Sequence, residues 1–342
     1  MKTSAFLGTV AVAALAAAGA SAQGTSTLQQ VQDRGSLNCG VNTGVPGFAE
    51  PDASGEWQGF DVAVCRAVAA AVLGDPTAVT FVPTTGKTRF EALASGEIDM
   101  LARNTTWTFS RDTDLRLDFT GINYYDGQGF IVPKALGVSS AMDLDGATIC
   151  IQTGTTTELN LADFFRVNNM SYEPVPIETE AEARQQFQAG ACDVYTTDRS
   201  ALASVRLAYE RPDDYVILPD VISKEPLGPV VRHGDSEWFD IVKWTLYALI
   251  AAEEYGVTQA NVEEMASAPT DNPEVNRLLG TEGELGAMMG LSNDWAVQAI
   301  SAVGNYGEIF DTTIGEGTEI GLARGLNALY TEGGLMYAPP FR

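Results

Sequence analysis

Apolar residues recur along the chain at two periods, and the changes of period mark its elements. In GFDVAVCRAVAAAVLG, residues 59–74, Val62, Cys65, Val68, Ala69 and Val72 fall on one helical face and a glycine closes the run. TTTELNLADFF, residues 155–165, carries a second helical pattern. WFDIVKWTLYALIAAEEYG, residues 238–256, is the strongest helix, with Phe239, Val242, Leu246 and Leu249 on its apolar face. The short runs LNCGVNTG (37–44) and TICIQTG (148–154) read instead as strands that end in polar residues and glycine.

These elements repeat. RFEALASGEIDMLARNTTWT (89–108) and ARQQFQAGACDVYTTDRSA (183–201) each start as an amphipathic helix and stop at a glycine, Gly96 or Gly190. Each has an aspartate three residues later, Asp99 or Asp193, then a short buried strand. Eight residues past the glycine stands a polar residue, Asn104 or Asp198. Each repeat is preceded by one of the cysteine-bearing strands and its helix. The order predicts two α/β lobes built from β-α-β units. Ligands of open α/β sheets sit off the carboxyl ends of strands. The repeat places residues 42–44, 104–108, 153–156 and 196–198 there, in one cleft if the lobes face each other. YYDGQGFIVPK (124–134) and EPLGPVVRHGD (225–235) lack helical pattern and read as two antiparallel crossings, a two-strand hinge. Residues 266–342 add further helices.

The N-terminus follows a different pattern. Lys2, the apolar run 5–18 and the small residues 20–22 read as a cleaved secretory leader over residues 1–22. A short membrane anchor is the alternative, but the run falls below the roughly 20 residues that span a bilayer. The mature chain is then soluble and exported, and about two domains long. A formal charge of −25 would repel phosphate backbones, so nucleic acid is excluded as a partner. Export and an even count favour disulfides among Cys39, Cys65, Cys150 and Cys192. Of three possible pairings, two successive lobes favour Cys39–Cys65 and Cys150–Cys192; four free thiols are the alternative. No C-x-x-C occurs, and one histidine leaves mixed metal sites short of ligands, so no metal or cofactor is expected.

Arg111 and Asp198 carry the candidate chemistry. A guanidinium matches a carboxylate with two parallel hydrogen bonds, and an aspartate accepts from an ammonium. One group on each lobe makes a receptor for an α-amino acid, and binding would draw the lobes together. Arg111 could instead pair with Asp112 or Asp114 at the surface, and Asp198 could cap the helix that follows. Thr106 and Thr156 can donate to a ligand carboxylate, or merely cap; Thr156 also opens a helix, whose free N–H groups favour an anion. Trp107 and Phe109 read as pocket wall or core. Arg103, Thr105 and Thr108 read as scaffold. His233 reads as a turn residue before Gly234, and no catalytic motif marks any pair of carboxylates.

With these residues in place, the chain resembles the bacterial family 3 extracellular solute-binding proteins, receptors of polar amino acid ABC importers. The resemblance rests on GFDVAVCRAVA, LASGEIDMLARNTTWTFSRDT, QTGTTTELNLADFF and CDVYTTDRSAL. More narrowly, GVNTGVPGF, YYDGQGF, ISKEPLGPVVRHGD, MGLSNDWAVQAI and ARGLNALYTEGGLMYAPPFR are similar to the general L-amino-acid-binding subfamily, over essentially the whole mature chain. It implies a two-lobed α/β periplasmic-binding-protein fold (type II) with a two-strand hinge and a helical C-terminal extension. The implied domains are lobe 1 over 23–130, lobe 2 over 131–229, a return to lobe 1 over 230–265, and an extension over 266–342 packed on lobe 1. It implies a monomeric periplasmic receptor that delivers L-amino acids to membrane permease subunits, and no enzyme.

Residue by residue, Arg111 would grip the α-carboxylate with Thr106 and Thr156, and Asp198 would take the α-ammonium with Asn104 beside it. Arg89 stands where acidic-amino-acid binders read the side chain; a solvated helix arginine is the alternative. The family's basic-amino-acid binders carry an aspartate and an aromatic where this chain has Asn42 and Val45. That favours broad or polar specificity, including Glu, Gln, Asp and Asn. An enzyme on the same scaffold, of the cyclohexadienyl dehydratase type, is the competing function.

Overall fold

The computed structural model describes residues 26–342, so the leader read over residues 1–22 lies outside the described residues. The first lobe opens with helix α1 (Thr27–Arg34), capped by the Ser26 hydroxyl, and strand β1 (Leu37–Asn42). A short hairpin, β2 (Glu50–Pro51) and β3 (Trp57–Gln58), leads into α2 (Phe60–Leu73). Val62, Cys65, Val68 and Ala69 of α2 are buried as their spacing requires, whereas Val72 is half-buried near the helix end. Strand β4 (Val79–Thr84), helix α3 (Arg89–Ser95), strand β5 (Met100–Leu101), helix α4 (Phe109–Thr113) and strand β6 (Leu117–Phe119) complete the first pass.

The chain then crosses. β7 (Tyr124–Asp126) lies in the hinge, and β8 (Gln128–Pro133) already belongs to the second sheet, so the extended crossing over 124–134 divides between the two. The second lobe follows as β9 (Ala147–Gln152), α5 (Thr156–Val167), β10 (Tyr172–Ile177), α6 (Glu180–Gln188), β11 (Val194–Asp198), α7 (Arg199–Leu207) and β12 (Tyr215–Ile217). β13 (Glu225–Leu227) pairs antiparallel with β7 and forms the other hinge strand. β14 (Val230–Arg232) re-enters the first sheet, and α8 (Ser236–Glu254) packs beneath it.

The sheet orders are β4-β1-β5-β14-β6 and β10-β9-β11-β8-β12. Position by position they are the same sheet. β1 pairs parallel with β4 and β5, as β9 does with β10 and β11. In each, the fourth strand crosses from the other lobe and runs antiparallel. The repeated aspartates have one job. Asp99 Oδ2 accepts from Asn38 N at 2.7 Å, and Asp193 Oδ2 accepts from Thr148 N at 2.9 Å, each tying two parallel strands at their amino ends. Each lobe carries one disulfide, Cys39–Cys65 between β1 and α2 and Cys150–Cys192 between β9 and the loop that leads into β11, and no cysteine is free. Closing loops of 26 and 42 residues, each restricts the unfolded chain by about 3–4 kcal/mol.

Helix α9 (Val262–Ala266) leads into the extension, which runs through α10 (Pro273–Leu278), α11 (Leu285–Met288), α12 (Trp295–Val303) and α13 (Tyr306–Thr313). Ala296, Ala299 and Ile300 of α12 join Phe60, Leu246 and Leu249 in one apolar core with the first lobe. Phe341 of the tail packs on Trp244 and Trp295. The extension also reaches the hinge. The Tyr306 hydroxyl donates to Asn123 O at 2.8 Å, and the Asn327 side chain bonds both backbone groups of Tyr125.

Candidate functional site

The two lobes meet along the carboxyl ends of their strands. Gly86 of the first lies so close to Thr153 of the second that a Cβ on it would stand 2.8 Å from the Thr153 carbonyl. Lys87 and Glu178 form an exposed ion pair of 2.7 Å across the rim. Between the lobes, all seven sequence-predicted site residues fall into one connected cluster.

Asn42 closes β1, is 2% exposed, and donates through Nδ2 to Asn104 Oδ1 at 3.1 Å. Asn104 follows β5 at φ +32°, in the left-handed region where asparagine is tolerated better than most residues. This turn lets its backbone N–H donate to Asp61 (3.1 Å) while its side-chain amide reaches Asp198 Oδ2 of the other lobe at 3.5 Å. Asp198 stands in the cap position of α7, yet its side chain makes no cap hydrogen bond. It is 5% exposed. Burial first, then the Asp126 and Glu225 charges, hold its carboxyl well above the usual range, with Asn104 and Arg89 opposing.

Arg111 sits on α4 and is 6% exposed. No ion pair joins it to Asp112 or Asp114 among the described residues; its Nη1 donates to the Thr106 carbonyl at 2.8 Å. Its guanidinium lies 5.1 Å from the Phe90 ring, and Arg89 lies 4.6 Å from the same ring. Burial pulls Arg111 down to about 10, against the attraction of Glu225 and Asp198. Arg89 is not solvated: it is 2% exposed, donates to Thr105 Oγ1 at 3.3 Å, and leaves Nε unpartnered. Burial, with Arg103 and Arg111 alongside, pushes it well below its ordinary value. A guanidinium keeps its charge in a protein, so such a position favours an anion.

Thr106 and Thr156, one from each lobe, have hydroxyls 3.2 Å apart. Both donate to Glu225 Oε2, at 2.5 and 2.9 Å.

Arg103 is buried, with Nε donating to Thr84 O at 2.9 Å and Nη2 unpartnered. The Thr105 hydroxyl donates to the Arg103 carbonyl and Thr108 caps α4, both scaffold roles. The two aromatics behave differently from either expectation. Trp107 stacks on Phe119 at 5.5 Å from the outside, and Phe109 is 85% exposed because it opens a short helix facing solvent. His233 pairs with Asp118 at 2.9 Å at the end of β14, outside the hinge strands.

The sequence reading missed four acids at this site. Glu225 stands on hinge strand β13 and Asp126 opposite it on β7. Asp126 accepts from both the backbone and hydroxyl of Ser200, and burial pushes it up to about 6. Asp61, at the start of α2, is pushed up to about 7 by burial, with Asn104, Arg103 and Asn123 opposing. Glu180 receives the Tyr195 hydroxyl and is also raised by burial to about 7. Among the described residues no group of three His, Cys, Asp or Glu is placed to hold a metal. A cavity of about 440 Å³ lies elsewhere, between Gly47, Ser204, Leu207, Thr313 and Ile320, and includes none of the seven residues.

The profile of the bacterial extracellular solute-binding proteins, family 3, matches residues 37–261. The chain is 67% identical to the glutamate/glutamine/aspartate/asparagine-binding protein BztA of Rhodobacter capsulatus, over 342 residues and the whole of both chains. It is 59% identical to the general L-amino acid-binding periplasmic protein AapJ of Rhizobium johnstonii, covering 96% of this chain and 97% of the other. A solved periplasmic binding protein from Brucella ovis with glutathione bound superposes with a TM-score of 0.90 at 57% identity, covering 93% of this chain and all of that one.

Proposed function

Because the chain belongs to family 3 of the bacterial extracellular solute-binding proteins, we propose that it is the receptor of an amino acid ABC importer. It takes up L-amino acids between its lobes and presents them to the membrane permease. The observation that carries this reading is the pairing of unlike charges across the cleft. Arg111 comes from one lobe and Asp198 from the other; both are buried, and no salt bridge joins them. An α-carboxylate answers the first and an α-ammonium the second, and only a molecule with both draws the lobes together.

Within this proposal Arg111, Thr106 and Thr156 hold the carboxylate, and Asp198 with Asn104 holds the ammonium. Asn42 orients Asn104, and Arg89 reads an acidic or amide side chain. The ligand range is broad and polar, with Glu, Gln, Asp and Asn included, as the names of the relatives suggest. Glutathione ends in a γ-glutamyl α-amino acid head, so the Brucella relative's ligand fits the same contacts. The lobe divisions at 23–130, 131–229, 230–265 and 266–342, export through a leader over 1–22, and a monomeric receptor with no nucleic-acid partner complete the proposal.

One observation favours a second reading, an enzyme of the cyclohexadienyl dehydratase type. Asp198 and Asp126 are carboxyls raised by burial, and a raised carboxyl is a general acid. A carboxylate awaiting an ammonium shows the same shift, so the binding reading needs no extra group. Calorimetry of ligand-stripped protein against the common L-amino acids and glutathione, with a turnover assay on prephenate and arogenate, separates the two. Saturable binding without turnover is expected. Turnover of either cyclohexadienyl acid, or binding of no amino acid, overturns the proposal.

A further inference from the structure

Glu225 belongs to neither lobe. It sits on β13, paired with β7 opposite Asp126, so its backbone is anchored at the hinge. Its side chain is 1% exposed and its carboxylate is fully engaged. Oε2 accepts from Thr106 and Thr156, and Oε1 accepts from Asn160 at 2.7 Å and Ser223 at 2.6 Å. Thr106 comes from the first lobe, Thr156 and Asn160 from the second, and Ser223 from the approach to the hinge. Four donors around two oxygens is how a protein surrounds a bound carboxylate. Here the carboxylate is the chain's own.

The two hydroxyls on Oε2 are those proposed above to hold the ligand's α-carboxylate. A hydroxyl has one proton to donate. Thr106 and Thr156 cannot serve Glu225 and a ligand carboxylate at once, and two carboxylates on one pair of hydroxyls repel. We propose that Glu225 is an internal competitor, a tethered carboxylate that ties the lobes through the ligand's own hydroxyls and is displaced from them when an amino acid binds. The inference rests on the proposed reading of the site. Tethering at the hinge gives the carboxylate a high effective concentration, so the competition weakens every α-carboxylate ligand by one common factor. Side-chain preference is left alone.

The test uses full-length mature protein, stripped of ligand, as wild type, Glu225→Ala and the near-isosteric Glu225→Gln. Calorimetry with L-glutamate and L-glutamine measures affinity. Small-angle scattering without ligand measures the radius of gyration. Both variants should bind both amino acids more tightly by the same factor, at least about threefold if two thirds or more of the wild type is self-occupied. Ligand-free Glu225→Ala should be larger than ligand-free wild type, because the carboxylate that joins Thr106 of one lobe to Thr156 and Asn160 of the other is gone. Unchanged or weaker binding in both variants, or equal radii, overturns the proposal; weaker binding would make Glu225 a ligand contact. A wild type that binds no amino acid counts against the receptor reading. The scattering comparison still decides, separately, whether Glu225 ties the lobes.

Discussion

Replacing Arg111 with alanine tests the carboxylate grip most directly. Within the protein the guanidinium makes one 2.8 Å hydrogen bond to the Thr106 carbonyl and packs on Phe90. Losing these costs about 1–3 kcal/mol of stability, partly offset because a buried cation goes with them. The fold should survive with a small drop in Tm. The binding cost is larger. Truncating one partner of a buried, hydrogen-bonded charge pair costs about 2–5 kcal/mol, which is roughly 30- to 4000-fold in Kd. Because the α-carboxylate is common to every ligand, the loss should be similar for glutamate, glutamine and leucine. Arg111→Lys keeps the charge but not the planar fork, and should still lose about tenfold. Isothermal titration of stripped protein reads all three. A loss of only a few fold, or one confined to acidic ligands, would mean that Arg111 does not hold the shared carboxylate.

Arg89→Ala should weaken glutamate and aspartate by about tenfold or more and leave leucine nearly unchanged, measured in the same titrations; equal losses would remove its side-chain role. Burial holds the Asp198 carboxyl above the usual range, whereas a ligand ammonium favours the ionised form. Binding should therefore release a proton over the pH range in which Asp198 titrates and tighten as pH rises through that range, seen as a dependence of the binding heat on the buffer's ionisation enthalpy. Asp198→Asn should bind weakly and release none. Asp61 is raised from 3.8 to about 7, so between about pH 4 and 7 the folded chain holds a proton that the unfolded chain has lost. Its contribution to stability is present at the acidic end of that window and lost as pH rises through 7, so Asp61→Asn should flatten the slope of Tm against pH there.

The repeat was legible because the same physical demand recurs at the same spacing. A glycine ends each helix, and an aspartate three residues later fastens the next strand to its parallel neighbour. The strands then align Cys39 with Met100 and Cys150 with Tyr195, which fixes the depth of Asn104 and Asp198 in the cleft. Arg111 and Asp198 could be read because each has a charge that suits half of one ligand. Glu225 could not be read in this way. The chain has 45 acidic residues, so a lone glutamate carries no signal, and its two threonine partners lie 119 and 69 residues away. Only the folded hinge brings them together. The exposure of Phe109 was equally hidden, because an aromatic at strand spacing turned out to open a helix whose face looks outward.

On the proposed reading, the site's charges make recognition and lobe closure one event. Arg89, Arg103 and Arg111 lie near Asp61, Asp198 and Glu225, yet no salt bridge joins any of these arginines to any of these acids among the described residues. Direct ion pairs would satisfy the charges and leave nothing for a ligand to supply. Leaving them unpaired, Arg89 on one lobe and Asp198 on the other, keeps each group costly to bury, in line with the upward shift of Asp198 and the downward shift of Arg89. A ligand with only a carboxylate, or only an ammonium, relieves one side and leaves the other unpaired. The penalty for that is steeper than the gain from any one extra contact, so on the proposed reading selection for the α-amino acid head comes from both lobes together. On that reading side-chain discrimination falls to the ground around Arg89 and Phe90, where a buried guanidinium with an unpartnered Nε allows acids and amides without demanding either.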